Sequence, residues 1–205
     1  MNPVEAQPMM TCRFNPFMRF SRFLKSEKTI LLALFCLCGS LQAQVLTGAG
    51  TRWNDSFSEW VVYTAEEEQE GELRHRWPSQ DDWTEWQYRL GESTGTIKLK
   101  WRQDLNEWEA RGDNQIATAR TVWRDNFREW RITDGKYTLT LNSRFGNIWD
   151  EWTTRSTSAG QFEMYTSFEG DPRDWVIVDE LDESVPLAMK LLMVHTVLFQ
   201  STPKQ

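Results

Sequence analysis

Trp123-Arg124-Asp125-Asn126-Phe127-Arg128-Glu129-Trp130 is the clearest of six copies of one cadence, and reading it decides the fold. Aligned to it stand Trp53 to Trp60, Trp101 to Trp108, Phe145 to Trp152 and the looser Phe168 to Trp175, while a sixth copy, Trp77 to Trp86, carries two extra residues. The closing tryptophans fall at 60, 86, 108, 130, 152 and 175, a spacing of 22 to 26 residues. A fixed period of this length marks one supersecondary unit repeated along the chain.

Between cadences the chain alternates apolar and polar residues. Tyr137, Leu139 and Leu141 share one face and Thr138, Thr140 and Asn142 the other, as Ile97, Leu99 and Trp101 do against Thr96, Lys98 and Lys100. That period of two is the signature of a half-buried antiparallel strand. Each copy therefore reads as a β-hairpin, and closing it around Asp125 to Arg128 sets Trp123 opposite Trp130 on the apolar face as a cross-strand aromatic pair. Asp55, Asp125 and Asn147 share the slot where a short polar side chain can hold the turn. Phe57, Leu105, Phe127 and Trp149 share the next apolar slot, a cap over the hairpin end. Glu59, Glu85, Glu107, Glu129 and Glu151 precede the closing tryptophan and so point toward solvent.

The two ends depart from the repeat. Five basic residues, Arg13 to Lys28, precede the apolar run Ile30 to Cys38, and Leu41-Gln42-Ala43 suits signal peptidase, so residues 1–43 read as a secretory signal whose true start is expected at Met18. The run is too short for a spanning helix, and all three cysteines, Cys12, Cys36 and Cys38, leave with it. Residues 44–205 then form one domain with 18 Lys+Arg against 28 Asp+Glu, five basic and two acidic residues lying in the leader. A net charge of −10 argues against nucleic acid and anionic membrane as partners. At the far end, Leu187 to Phe199 is apolar all round but for Lys190, His195 and Thr196. A helix over 185–200, with Ser184 as its cap, has no polar face and must be buried on every side.

The expected fold is mostly β: about twelve antiparallel strands in six tryptophan-paired hairpins, forming a closed barrel around a buried C-terminal helix. An open hairpin-repeat sheet with the helix laid on one face is the alternative. The run Asp174 to Asp179, followed by Pro186 to Phe199 and preceded by this number of strands, resembles the tubby-like barrel shared by tubby proteins, phospholipid scramblases and LURP-one-related proteins. The resemblance implies a closed twelve-stranded barrel threaded by its last helix. It transfers no functional residue, because neither the basic phosphoinositide site of tubby nor the calcium segment of scramblases has a counterpart here.

Chemistry is sparse. Residues 44–205 hold no cysteine and two histidines, His75 and His195, neither in zinc-ligand spacing. No phosphate loop, serine elbow or metalloprotease helix occurs, and no cofactor or metal is expected. Carboxylates recur at matching slots of every hairpin, which turn-making and solubility explain. The expectation is an exported, non-enzymatic binding or structural module of the periplasm or cell exterior, with a glycan or another envelope component as partner. Tryptophans at hairpin ends can stack on sugar rings or bind choline, so Phe57, Trp83, Phe127 and Trp149 are the candidate ligand-binding residues. The alternative is a hydrolase or lipid-handling protein with a site at a barrel end near His195 and Lys190.

Overall fold

The computed structural model describes residues 44–66, 70–77, 82–155 and 157–204. The expected signal segment, with Met18 and the three cysteines, lies outside the described residues. Twelve strands follow one another: β1 (Leu46–Trp53), β2 (Ser56–Thr64), β3 (Glu70–His75), β4 (Glu85–Leu90), β5 (Ser93–Leu99), β6 (Glu107–Gly112), β7 (Gln115–Thr121), β8 (Glu129–Thr133), β9 (Thr138–Ser143), β10 (Glu151–Thr154), β11 (Gly160–Phe168) and β12 (Asp171–Leu181). A single helix, α1 (Leu187–Ser201), ends the fold. Each strand pairs antiparallel with its predecessor, and β12 closes on β1 with Trp175 against Ala49. The closed barrel wins over the open sheet because closure covers the apolar face and leaves no strand edge.

Alternation along each strand sends one set of side chains inward. Leu73, Ile97, Ile132, Leu139, Leu141, Phe162 and Met164 are sealed from solvent, together with all six closing tryptophans. A twelve-stranded bore is too wide for wall side chains alone to fill. The helix fills it, and every residue from Ala188 to Phe199 is buried. It packs most closely on β6 and β7, where Ala110, Ala117 and Ala119 leave the wall thin. Nearby, Gly95 and Gly112 make a slot for the Tyr88 phenol, which a Cβ at Gly112 would meet at 2.1 Å. The helix begins two residues later than expected. Pro186 is its N-cap in an extended conformation, with no side-chain cap, and Ser184 instead donates its amide to Asp182 at 2.9 Å.

The outer wall is polar and paired, with Glu72 between Arg74 and Arg89 and Glu109 against Arg111. Such a wall faces water, since a lipid-facing wall needs an apolar band. Among the described residues no helix is long and apolar enough to cross a membrane.

One expectation is corrected. Trp123 does not face Trp130: Thr121 does, and the ladder ends with the Val122 amide donating to the Glu129 carbonyl at 2.9 Å. Trp123 is the first residue of the turn and lies 66% exposed. The same register holds Leu99 opposite Trp108 and leaves Trp101 outside, while in the first hairpin an irregularity between Thr51 and Trp53 turns Trp53 outward. The turn itself is held one residue later than expected. Ser56, Asp82, Asp104, Asn126 and Asp171, each four before its closing tryptophan, accept the amide two residues on at 3.0–3.2 Å. These turns end the ladder short of Trp77, Trp101, Trp123 and Phe145, while Trp53 and Phe168 pair with the turn-holding Ser56 and Asp171.

Candidate functional site

Because strands alternate up and down, the six turns that follow odd-numbered strands all lie at one end of the barrel. Four of them carry a three-part aromatic arrangement, and the third and sixth have Leu105 and Pro172 in its middle slot. The closing tryptophan points in, and five of the six indoles donate Nε1–H to the carbonyl three residues earlier: Trp60 to Phe57, Trp86 to Trp83, Trp130 to Phe127, Trp152 to Trp149 and Trp175 to Pro172, at 2.8–3.0 Å. A buried indole keeps its donor satisfied only through such a bond.

The second part is the cap. Phe57, Trp83, Phe127 and Trp149 are partly buried and packed on the core, with ring centroids 5.7–6.1 Å from their closing tryptophans. Trp83 is also stacked on His75 at 5.2 Å. Trp149 carries the Arg128 guanidinium 3.8 Å above its ring. The four residues expected from the sequence to meet a ligand thus have much of their surface taken up by the barrel end.

The third part, which sequence reasoning missed as a surface, is the opening aromatic. Trp53, Trp77, Trp101, Trp123, Phe145 and Phe168 are all exposed and ring the same rim. Three of these indoles are fixed by the glutamate before the closing tryptophan: Trp53 donates to Glu59 at 3.0 Å, Trp77 to Glu85 at 3.2 Å and Trp101 to Glu107 at 2.9 Å. The glutamate in turn pairs with the residue before the opening aromatic: Arg52 with Glu59, Arg76 with Glu85, Lys100 with Glu107 and Arg144 with Glu151. In three hairpins that cation also lies 5.0–5.9 Å from the aromatic ring centroid. Burial alone would raise the Glu107 carboxyl pKa, but the hydrogen bonds from Lys100 and Trp101 hold it below the usual range. The readable signal was this basic residue set opposite the glutamate, which fixes the register and so places the aromatic beyond the ladder.

The fourth hairpin breaks the pattern. Val122 stands where four of the others have a cation, and beside it, between the third and fourth hairpins, a cleft of about 340 Å³ is lined by Trp101, Asn106, Arg120, Arg124 and Arg131 among others. Asn106 sews the two hairpins together, accepting from the Asp125 amide at 2.7 Å and the Thr121 hydroxyl at 2.8 Å. The corresponding cleft between the fifth and sixth hairpins, about 630 Å³, has Phe145 in place of Trp101 and is lined by Asp150, Glu151, Glu163 and Glu169.

The residues of the alternative, catalytic reading are sealed. His195 is 1% exposed, and neither ring nitrogen has a hydrogen-bond partner among the described residues. It sits among Trp86, Trp108 and Phe199 at 4.6–5.6 Å, and burial, with the Lys204 charge adding, pushes its pKa down to about 3. Lys190 donates to Asp179 at 2.8 Å and to the Gln44 carbonyl at 3.2 Å. Among the described residues no group of three or more His, Cys, Asp or Glu side chains could hold a metal ion. Comparison with protein-family models, curated proteins and solved structures finds no match to this chain.

Proposed function

We infer that the protein is an exported, non-enzymatic binding module of the cell envelope, whose aromatic rim stacks on the sugar rings of a glycan. The observation that carries the reading is the ring of six outward aromatics at one end of a barrel whose interior is filled. Solvent exposure of six large aromatics in one band costs solubility, and an apolar band of this kind marks a binding surface. Three of the rings, Trp53, Trp77 and Trp101, are held by fixed carboxylates, so less conformational entropy remains to be lost on binding. Between them lie polar clefts. Alternating aromatic platforms and hydrogen-bonding clefts match a saccharide, with apolar ring faces and polar edges, better than a lipid chain.

Export rests on the leader of residues 1–43. The barrel around a terminal helix supports kinship with the tubby-like barrel, and that kinship would concern architecture alone. On this reading the half-buried Phe57, Trp83, Phe127 and Trp149 brace the rim. The sealing of His195 and Lys190 weighs against a hydrolase site at the barrel end.

A glycan array probed with the domain of residues 44–205 tests the reading. The expected result is binding to a defined saccharide class that is lost when Trp53, Trp77, Trp101 and Trp123 are changed to Ala, with the circular dichroism spectrum kept. Absence of saccharide binding together with turnover of an ester or phospholipid, abolished by His195→Ala, would overturn it.

A further inference from the structure

Resting on the reading of the rim as a saccharide-binding surface, we propose that the cleft between the third and fourth hairpins selects an acidic sugar, a unit bearing an ionised carboxylate. The register of the barrel puts Arg120 directly opposite Arg131, both on the outer face. Like charges directly opposite on neighbouring strands are destabilising. Elsewhere on this rim the repeat avoids the problem by setting a cation against a glutamate, as Lys100 is set against Glu107. Neither Arg120 nor Arg131 makes a side-chain hydrogen bond or ion pair among the described residues, and Arg124 adds a third guanidinium to the same cleft.

The carboxylates beside them are occupied. Glu107 accepts from Lys100 at 2.7 Å and from Trp101 at 2.9 Å, and Asp104 accepts from the Asn106 amide and side chain at 3.0 and 2.8 Å. What faces the cleft is therefore an arginine pair with no side-chain hydrogen bond among the described residues, whose carboxylate neighbour Glu107, opposite Arg120, is already bonded to Lys100 and Trp101, within a domain of strongly negative net charge. The planar guanidinium fork fits a carboxylate with two parallel hydrogen bonds, and the Trp101 ring supplies the wall on which a pyranose face rests.

Two further features single out this place. The turn residues on either side of it, Gln103 and Asp125, hold φ of 68° and 62°, a conformation that costs a non-glycine residue energy and that is shared among the described residues only by Asp113 and Asn114 in the β6–β7 turn. The equivalent cleft between the fifth and sixth hairpins keeps the scaffold but reverses the charge: Tyr165 faces Glu151 where Arg120 faces Glu107. This wider cleft, where four carboxylates stand with Arg144 alone, should reject an anion, so the molecule carries its own control.

Isothermal titration of the 44–205 domain with oligogalacturonate and with its methyl-esterified form tests the proposal. The charged oligomer should bind at least ~10-fold more tightly. Arg120→Gln and Arg131→Gln should each remove about tenfold of that preference and leave the affinity for the esterified form within about twofold. Both substitutions sit on the surface, and unliganded Arg131→Gln should hold or raise the thermal midpoint, since it relieves a repulsion. Equal affinity for the two oligomers, untouched by the arginine variants, overturns the acidic-sugar subsite while leaving the saccharide reading intact. Binding of neither oligomer, with other glycans still bound on the array, likewise overturns only the subsite, whereas failure of every glycan overturns both. Competition by glutarate as strong as by the oligomer overturns it too, by showing an anion site with no need of the sugar ring.

Discussion

Trp123 and Trp130 are the same side chain in opposite roles, one standing in solvent and the other sealed inside the barrel. The difference comes from the last rung of the ladder: Thr121 is opposite Trp130, so the chain has left the sheet by Trp123. Truncating a buried tryptophan leaves a cavity and costs about 3–5 kcal/mol, while an exposed one away from such features costs under ~0.5 kcal/mol. Trp130→Ala should therefore lower stability in urea by several kcal/mol, and Trp123→Ala should be nearly neutral. Equal losses would place both indoles on one face, against the register described. The inward face of Trp130 and the outward face of Glu129 were legible because strand parity is strict between neighbours. Trp123 was not legible, because parity stops where the turn begins, and the turn is held by Asn126 rather than Asp125.

At the scale of elements, the helix was legible for a single reason: from Leu187 to Phe199 no face is polar enough to meet water. Its cap was not, since Ser184 is drawn off to Asp182 and Tyr137. Its few polar residues are built into the barrel. The Asp179 carboxylate accepts from Lys190 and from the Leu46 amide at 3.1 Å, which ties the start of β1 to α1. His195 has no such partner, and its pKa is pushed from the ordinary 6.5 to about 3 by burial and by the Lys204 charge. Below pH 6.5 the unfolded chain takes up a proton that the native chain refuses, so stability falls as the pH drops from 6.5 toward 3. From pH 7 to pH 5 this one group should remove about 2 kcal/mol. His195→Leu should flatten that part of the profile in urea titrations at the two pH values, and an unchanged slope would show that the ring is protonated or hydrated in the native state.

The whole molecule is one hairpin used six times and closed on itself. The repeat made the strand number and the closed barrel legible, because six half-covered apolar faces have no cheaper way to be buried than around the one element that is apolar all round. The site was less legible. In a repeat protein, function resides where copies differ, and the differences that matter here, Val122 in place of a cation and Arg120 facing Arg131, mean something only once the register is known. On the proposed function, the four outward tryptophans of the rim, Trp53, Trp77, Trp101 and Trp123, serve binding, while the buried closing six serve stability.

A nitrogen-15 correlation spectrum resolving the twelve indole N–H groups, recorded during titration with an oligosaccharide taken from the array, tests that division directly. The signals of Trp53, Trp77, Trp101 and Trp123 should move with ligand, while those of Trp60, Trp86, Trp108, Trp130, Trp152 and Trp175 stay in place and resist exchange with solvent. Movement of the closing tryptophans while the outward four stay fixed would contradict the account.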